Sequence, residues 1–248
     1  MKQRVNSGAS SPTQPDKSKN LLTPGMKNLV VGLCLLLLSA FAYGESVEEI
    51  LARMDREAPR FHAMSADIDM KTYTDVLRDT TDEKGTLKMQ RLGPNSIRAV
   101  VDFTEGSDAR KIGFFGKVVR IYYPNLKQYQ DYDVGRNSDV VNQFLLLGFG
   151  SSGKELAKSY TISEEGQEKV AGQDTTKLLL IPKDKSVLER LSKAEIWVPK
   201  DAAYPVQQQF FEPSKNYRLV QYSNINLNPQ IKGTLELQMP RGTSKQKQ

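Results

Sequence analysis

Residues 64–76 alternate with a period of two over more than a dozen positions. Met64, Ala66, Ile68, Met70, Thr72, Thr74 and Val76 share one parity, and Ser65, Asp67, Asp69, Lys71, Tyr73 and Asp75 share the other. Successive side chains of a strand point to opposite faces, so this run makes one face apolar and leaves the other wet. Such a strand fits an antiparallel sheet with one solvated side, not a parallel sheet buried on both. It is also long for a globular protein.

The rest of the chain can be read from that constraint. Runs at 85–92, 97–103, 112–114, 118–123 and 129–133 continue the alternation, with turn residues such as Gly116-Lys117 between them. A second series follows at 175–181, 194–198, 206–211, 218–226 and 233–239. Pro182, Pro199, Pro205, Pro213, Pro229 and Pro240 stand at strand ends, where a missing N–H does no harm. Before the first strand, Ser46 and Glu49 form a capping-box pattern. Val47, Ile50, Leu51 and Met54 then fall on one helical face, and Pro59 ends the helix. Ser138 is placed to cap a helix bearing Val141, Phe144, Leu145 and Gly148. Residues 154–158 and 186–191 read as two further short helices. The expectation is an α+β domain over residues 45–248. It is a large antiparallel sheet of about ten strands with a few helices.

The N-terminal 44 residues have a different character. Residues 1–25 are rich in Ser, Pro, Lys, Asn and Gln and read as a disordered extension. Residues 26–44 read as a signal peptide. Met26-Lys27 supplies a cationic start, the 14 residues Leu29–Ala42 carry no charge, and Ala40-Phe41-Ala42 is a cleavage pattern. The apolar run is short for a membrane span. Cys34 lies inside that run rather than after it, so a mature chain would contain no cysteine, disulfide or thiolate metal site. The leader holds five of the 35 basic residues and one of the 29 acidic ones. The body keeps 30 and 28, a net of +2, which removes the charge argument for nucleic acid.

Candidate chemistry is sparse. Residues 148–155, Gly-Phe-Gly-Ser-Ser-Gly-Lys-Glu, match both G-x-G-x-x-G and G-x4-G-K. A phosphate loop needs Ser or Thr after the lysine and a parallel βαβ context. Here Glu155 follows, among antiparallel neighbours, and the segment reads instead as a hinge between short helices. His62 is the one histidine, with no G-x-S-x-G nucleophile motif to partner it and no ligand set for zinc. Asp67/Asp69 and Asp131/Asp133 are spaced two apart on strands, the pattern of a solvated sheet face. No metal or cofactor is expected, and no enzymatic activity.

Two features remain open on the residues alone. Arg91 shares its parity with Leu87 and Met89, so it points to the apolar face. A charge there needs a partner. It is either a strand-end cation reaching past the edge or a polar clasp across the mouth of an apolar hollow. The apolar face itself carries Met64, Ile68, Met70, Leu87, Met89, Ile97, Val101, Phe103 and Phe144. It is either an ordinary core or a hollow for lipid, in which methionine adapts to varied shapes.

Five segments in order resemble one family. They are residues 51–66, from Leu51 through Phe61-His-Ala-Met-Ser-Ala66; Gly85-Thr-Leu-Lys-Met-Gln-Arg91 with Pro94-Asn95; residues 115–124; Leu178-Leu-Leu-Ile-Pro-Lys183; and Leu235-Glu-Leu-Gln-Met-Pro-Arg-Gly242. Together, behind a signal peptide, they resemble the LolA- and LolB-like periplasmic lipoprotein carriers. Leu92-Gly93 separates Arg91 from Pro94, where the family has Arg and Pro adjacent, and Ile97 stands in the place of a family aromatic.

The resemblance implies an incomplete, unclosed antiparallel β-barrel of about ten strands, with helices capping its concave apolar face. It also implies a periplasmic carrier expected to act as a monomer after cleavage of the signal peptide at residues 26–44. The apolar residues named above would bind the acyl chains of lipoproteins, and Arg91 would tie the lid to the sheet. Its partners would be an inner-membrane release complex and an outer-membrane acceptor, with no nucleic acid. The same shell allows another envelope lipid as cargo. A non-catalytic binding module with a filled core is a further alternative.

Overall fold

A computed structural model describes residues 45–93, 96–105, 109–135, 145 and 147–246. The leader of residues 1–44, the helix expected from Ser138 and the side chain of Phe144 lie outside the described residues.

Helix α1 (Val47–Glu57) begins as its capping box demands. The Ser46 hydroxyl accepts from the Glu49 N–H, and the Glu49 carboxylate accepts from the Ser46 N–H. Ile50 and Met54 are buried on one face. A short 3₁₀ turn (Ala58–Arg60), with Pro59 inside it, hands the chain to the first strand. Strands β1 (Ala63–Thr74), β2 (Asp79–Gly93), β3 (Ser96–Glu105), β4 (Arg110–Phe115), β5 (Val118–Tyr123) and β6 (Gln128–Asp133) form one antiparallel meander. After α2 (Gly153–Ser159) a second meander follows. It comprises β7 (Tyr160–Val170), β8 (Gln173–Pro182), β9 (Lys193–Pro199), β10 (Gln207–Phe211) and β11 (Tyr217–Leu227), with the single turn α3 (Lys185–Leu188) between β8 and β9.

The two meanders join where β1 pairs antiparallel with β11, so the first strand of the domain lies against its last long one. With the two-residue strand β12 (Ser244–Lys245) at one edge, the sheet runs β12-β6-β5-β4-β3-β2-β1-β11-β10-β9-β8-β7, and β7 does not meet the opposite edge. The result is a mostly antiparallel α+β half-barrel with few helices, antiparallel as the alternation predicts and unclosed as the resemblance implies.

Two strand assignments from sequence are corrected. Tyr160–Val170 is a strand that the sequence pattern did not reveal. All but its first and third residues and its last are exposed, so no apolar alternation marks it. Residues 233–239 were expected as a strand and are irregular. Leu235 and Leu237 are buried while Thr234, Glu236 and Gln238 are exposed, so the alternation is real. Its cause is docking against the sheet rather than ladder pairing. The Leu235 N–H donates to Gln90 Oε1, and Gln90 Nε2 donates to the Gly233 carbonyl. The chain then ends as β12 (Ser244–Lys245), a two-residue parallel addition to β6 that covers its edge.

Cross-strand register assigns the inner face. Met64, Met89, Ala99 and Phe114 lie opposite one another in turn, as do Ala66, Leu87, Val101 and Ile112. Two apolar clusters cover it. Ile50, Met54 and Leu156 of the helices pack on Leu178, Leu180, Ala194 and Ile196 of β8 and β9. Phe61 and Phe149 pack on Met64, Ile68, Leu87, Met89 and Phe103 of β1 to β3.

Candidate functional site

Arg91 sits near the end of β2 on the inner face, opposite Ile97 of β3. Leu92 makes this possible. Arg91 pairs with Ile97 and Gly93 with Ser96, so Leu92 is an extra bulged residue, and it is half exposed. The extra residue is therefore absorbed on the exposed side, and Arg91 keeps the parity of Leu87 and Met89.

The guanidinium bridges two elements that do not belong to the sheet. Nη1 donates to the Ala58 carbonyl at 3.2 Å, at the end of the helical entry, and Nη2 donates to the Gly150 carbonyl at 2.6 Å. Its central carbon lies 5.2 Å from the centre of the Phe61 ring. Burial pushes the Arg91 pKa down, and the Glu155 carboxylate opposes that. A guanidinium stays charged at any ordinary pH, so this is a permanent cation held by backbone carbonyls. The charge partner that its position demands is met by dipoles rather than by a carboxylate.

The glycine-rich segment serves packing. Gly148 and Gly150 adopt left-handed backbone with φ of +79° and +70°. A Cβ on Gly150 would lie 2.3 Å from the Phe61 ring, and one on Gly153 would lie 2.2 Å from the Leu51 carbonyl oxygen of α1. Only glycine permits both the backbone geometry and the close approach. Ser152 and Glu155 form a second capping box on α2, and the Lys154 N–H donates to Asp55. Gly148, Phe149, Ser151 and Gly153 are buried, so the segment is anchored rather than a loose hinge, and among the described residues no parallel strand pairing surrounds it as a nucleotide loop would need.

Phe149, between the two left-handed glycines, is 1% exposed. Its ring stacks on Tyr204 at 6.3 Å and meets Tyr222 edge-on at 4.9 Å. The sequence pattern did not mark it as a site residue, because nothing local says which cluster a loop ring will enter.

The structure brings most of the apolar candidates together. Met64, Ile68, Leu87, Met89 and Phe103 are buried in one cluster, with Met70 and Val101 partly buried against it. Ile97 is buried across from Arg91. Phe144 lies outside the described residues. Sequence reasoning overlooked Glu83 and Arg110. Glu83 is buried on the same face of β2 and receives two hydrogen bonds from the Arg110 guanidinium, which also lies 4.6 Å from the centre of the Phe103 ring. The apolar strip of β2 is thus bracketed by a cation at one end and an ion pair at the other.

A pocket of about 200 Å³ opens beside the Arg91 clasp. Met54, Phe61, Phe149, Tyr204 and Leu227 supply its apolar wall, and Ala58 and Gly150, the clasped residues, also line it. Glu57, Arg60 and Asp201 stand at its polar side.

The remaining candidates have ordinary surroundings. His62 is exposed, its N–H donating to Asn228 and its carbonyl accepting from the Arg91 N–H. Asp67 accepts from Asn224 on the wet face. Asp131 is paired with Arg120, whose hydrogen bonds hold its carboxyl below the usual carboxylate range. Among the described residues no cluster of His, Cys, Asp or Glu is arranged to hold a metal, and no helix is long and apolar enough to cross a membrane.

The described residues thus form an unclosed, mostly antiparallel sheet with helices packed on its inner face. Among solved structures the chain is similar to an uncharacterized conserved protein of Thermus thermophilus, at 12% identity and a TM-score of 0.50, over 81% of this chain and 98% of that one. It is also similar to a LolA superfamily protein of Nitrosomonas europaea, at 14% identity and a TM-score of 0.35, covering 76% and 96% of the two chains. The lipoprotein LppX of Mycobacterium tuberculosis follows at 16% identity and a TM-score of 0.41, covering 73% and 97%. At these identities the likeness is one of fold. No protein-family model matches the chain, and no curated protein matches it by sequence.

Proposed function

We propose that this protein is a non-catalytic, monomeric carrier of the cell envelope. It shields the acyl chains of lipoproteins on its inner apolar face and passes them from the inner to the outer membrane. The observation that carries this reading is Arg91, a half-buried cation at the end of the apolar strip of β2, binding the carbonyls of Ala58 and Gly150. Hydrogen bonds to two backbone carbonyls hold the helical entry and the glycine-rich loop down on the sheet. They can be exchanged without unfolding either element, which a lid requires.

The apolar lining proposed for cargo is Met64, Ile68, Met70, Leu87, Met89, Ile97, Val101, Phe103 and Phe144. Each acyl methylene left in water costs about 0.8 kcal/mol, so a ferry must cover them. Methionine and loop-borne aromatic rings can repack around a chain at modest cost. Release needs a drive to close, and Arg91 supplies it. The leader of residues 1–44 supports export to the periplasm. An inner-membrane complex would load the carrier and an outer-membrane acceptor would unload it. A phospholipid or glycolipid would suit the same face.

A second reading has its own support. Met64, Met89 and Ile97 are at most 2% exposed, packed against protein side chains. That is the condition of a binding module with a filled core. Native mass spectrometry with lipid extraction, on protein purified from its own envelope fraction, separates the two. Co-purifying acylated polypeptide is the expected result. Free lipid would retain the carrier and change its cargo. A clean apo mass, persisting after incubation with lipid micelles, would establish the filled-core module.

A further inference from the structure

We propose that Phe149 is a side-chain plug, and that the pocket beside it is the port through which the end of a single unbranched acyl chain enters. The inference rests on the carrier reading and adds the route and the closing element.

The pocket holds about 200 Å³, below the usual range for a site that encloses a whole small molecule. It suits the end of a chain, and the remaining methylenes need somewhere to go. Phe149 stands between. It lines the pocket on one side and belongs to the buried cluster of Met64 and Met89 on the other. Withdrawing its ring would join the port to the inner face of β1 and β2. The space vacated would adjoin the Tyr222 ring and lead into the cluster that holds Met64 and Met89, surfaces that accept a flexible chain.

The backbone around Phe149 fits this role. It is a single ring-bearing residue between two left-handed glycines, and glycine crosses between backbone regions with little steric penalty. Two side chains from the sheet tether the carbonyls that flank it. The Gly150 carbonyl accepts from Arg91, and the Leu147 carbonyl accepts from Gln208, which in turn accepts from the Tyr222 hydroxyl. The Arg91 clasp therefore bears on the plug directly. Opening the clasp frees Gly150, and Gly150 frees Phe149. The polar side of the pocket, at Glu57, Arg60 and Asp201, keeps a headgroup in water while the chain threads inward.

The test uses the mature domain and parinaric acid, a linear fluorescent fatty acid, with uptake followed by stopped flow. Phe149→Leu removes two aromatic contacts and should speed uptake about tenfold. Leu227→Trp narrows the mouth at a position 41% exposed, where the fold tolerates a larger side chain, and should slow uptake by a similar factor. Thermal unfolding checks both variants. If Phe149→Leu does not fold, Leu227→Trp carries the test alone. A palmitic acid bearing a diazirine at its methyl end should label peptides containing Met54, Phe61 or Tyr204 at early times. Unchanged rates in folded variants, or early labelling only elsewhere, would overturn the port and leave the carrier standing. No uptake of either fatty acid by the wild-type domain would overturn the carrier reading and the port with it.

Discussion

The inner face of the sheet is covered in two ways. Over β8, β9 and β10 the cover is helical and aliphatic. Ile50, Met54, Leu156, Leu178, Leu180 and Ile196 are all at most 3% exposed, with the Tyr160 and Phe210 rings buried in the same cluster. Over β1, β2 and β3 the cover is two loop-borne rings, Phe61 and Phe149, on a bed that includes two buried methionines. This second region has Arg91 at one end and the Glu83–Arg110 pair at the other. Branched aliphatics between helix and sheet have defined rotamers and lock into one arrangement. Methionine and rings on loops have alternatives. One half of the face is fixed between helix and sheet, and the other is the half that we propose opens to cargo.

The contrast can be broken by experiment. Placing a carboxylate on the openable half, Ile68→Glu, should abolish lipid uptake, because an unpaired buried charge is intolerable beside acyl chains. Undiminished uptake by a folded variant would remove that face from the site. In the aliphatic half, Leu180→Ala should cost about 2–5 kcal/mol of stability through the cavity it leaves, measured by urea unfolding. Cargo affinity should not change at concentrations where the variant is folded.

Arg91→Leu should slow release to acceptor membranes about tenfold, since a charge-assisted hydrogen bond contributes about 1.5–3 kcal/mol to closure. Unchanged release would leave Arg91 a structural cation only.

Smaller effects belong to the outer face and the strand ends. Burial pushes the Glu195 carboxyl upward, but hydrogen bonds from Lys177 and Lys193 overcome this and hold it below its ordinary value. Its contribution to stability is present above the unfolded carboxylate range, at about pH 4.3, and is lost as pH falls through the lower folded value. Glu195→Gln should flatten the acid limb of unfolding over that window without altering cargo binding. Leu92→Ser, at the bulge, should shift stability by no more than about 0.5 kcal/mol. A larger loss would show that the bulge itself, not Arg91, positions the clasp.

The elements legible in the sequence are those whose cause is local. The β1 alternation, the Ser46–Glu49 box and the inward parity of Arg91 each follow from side-chain period or from residues within one turn. The alternation at Leu235 and Leu237 was also legible, but its meaning was not. Burial of every second residue looks the same whether a ladder or a docked tail produces it. Strand β7 was invisible for the converse reason, since an edge strand with few buried side chains has no pattern to read.

By itself, then, the sequence determined an antiparallel sheet with one apolar face and a lone cation aimed into it. Period and parity are properties of neighbouring residues, and they survive without knowledge of the fold. Only the tertiary structure decided what answers that cation and what fills that face. The Ala58 and Gly150 carbonyls lie 33 and 59 residues from Arg91 along the chain. Phe149 reaches Tyr222 because the pairing of β1 with β11 brings the two meanders into one sheet. Such contacts are set by the closure of long loops, and the residues on either side carry no local mark of them.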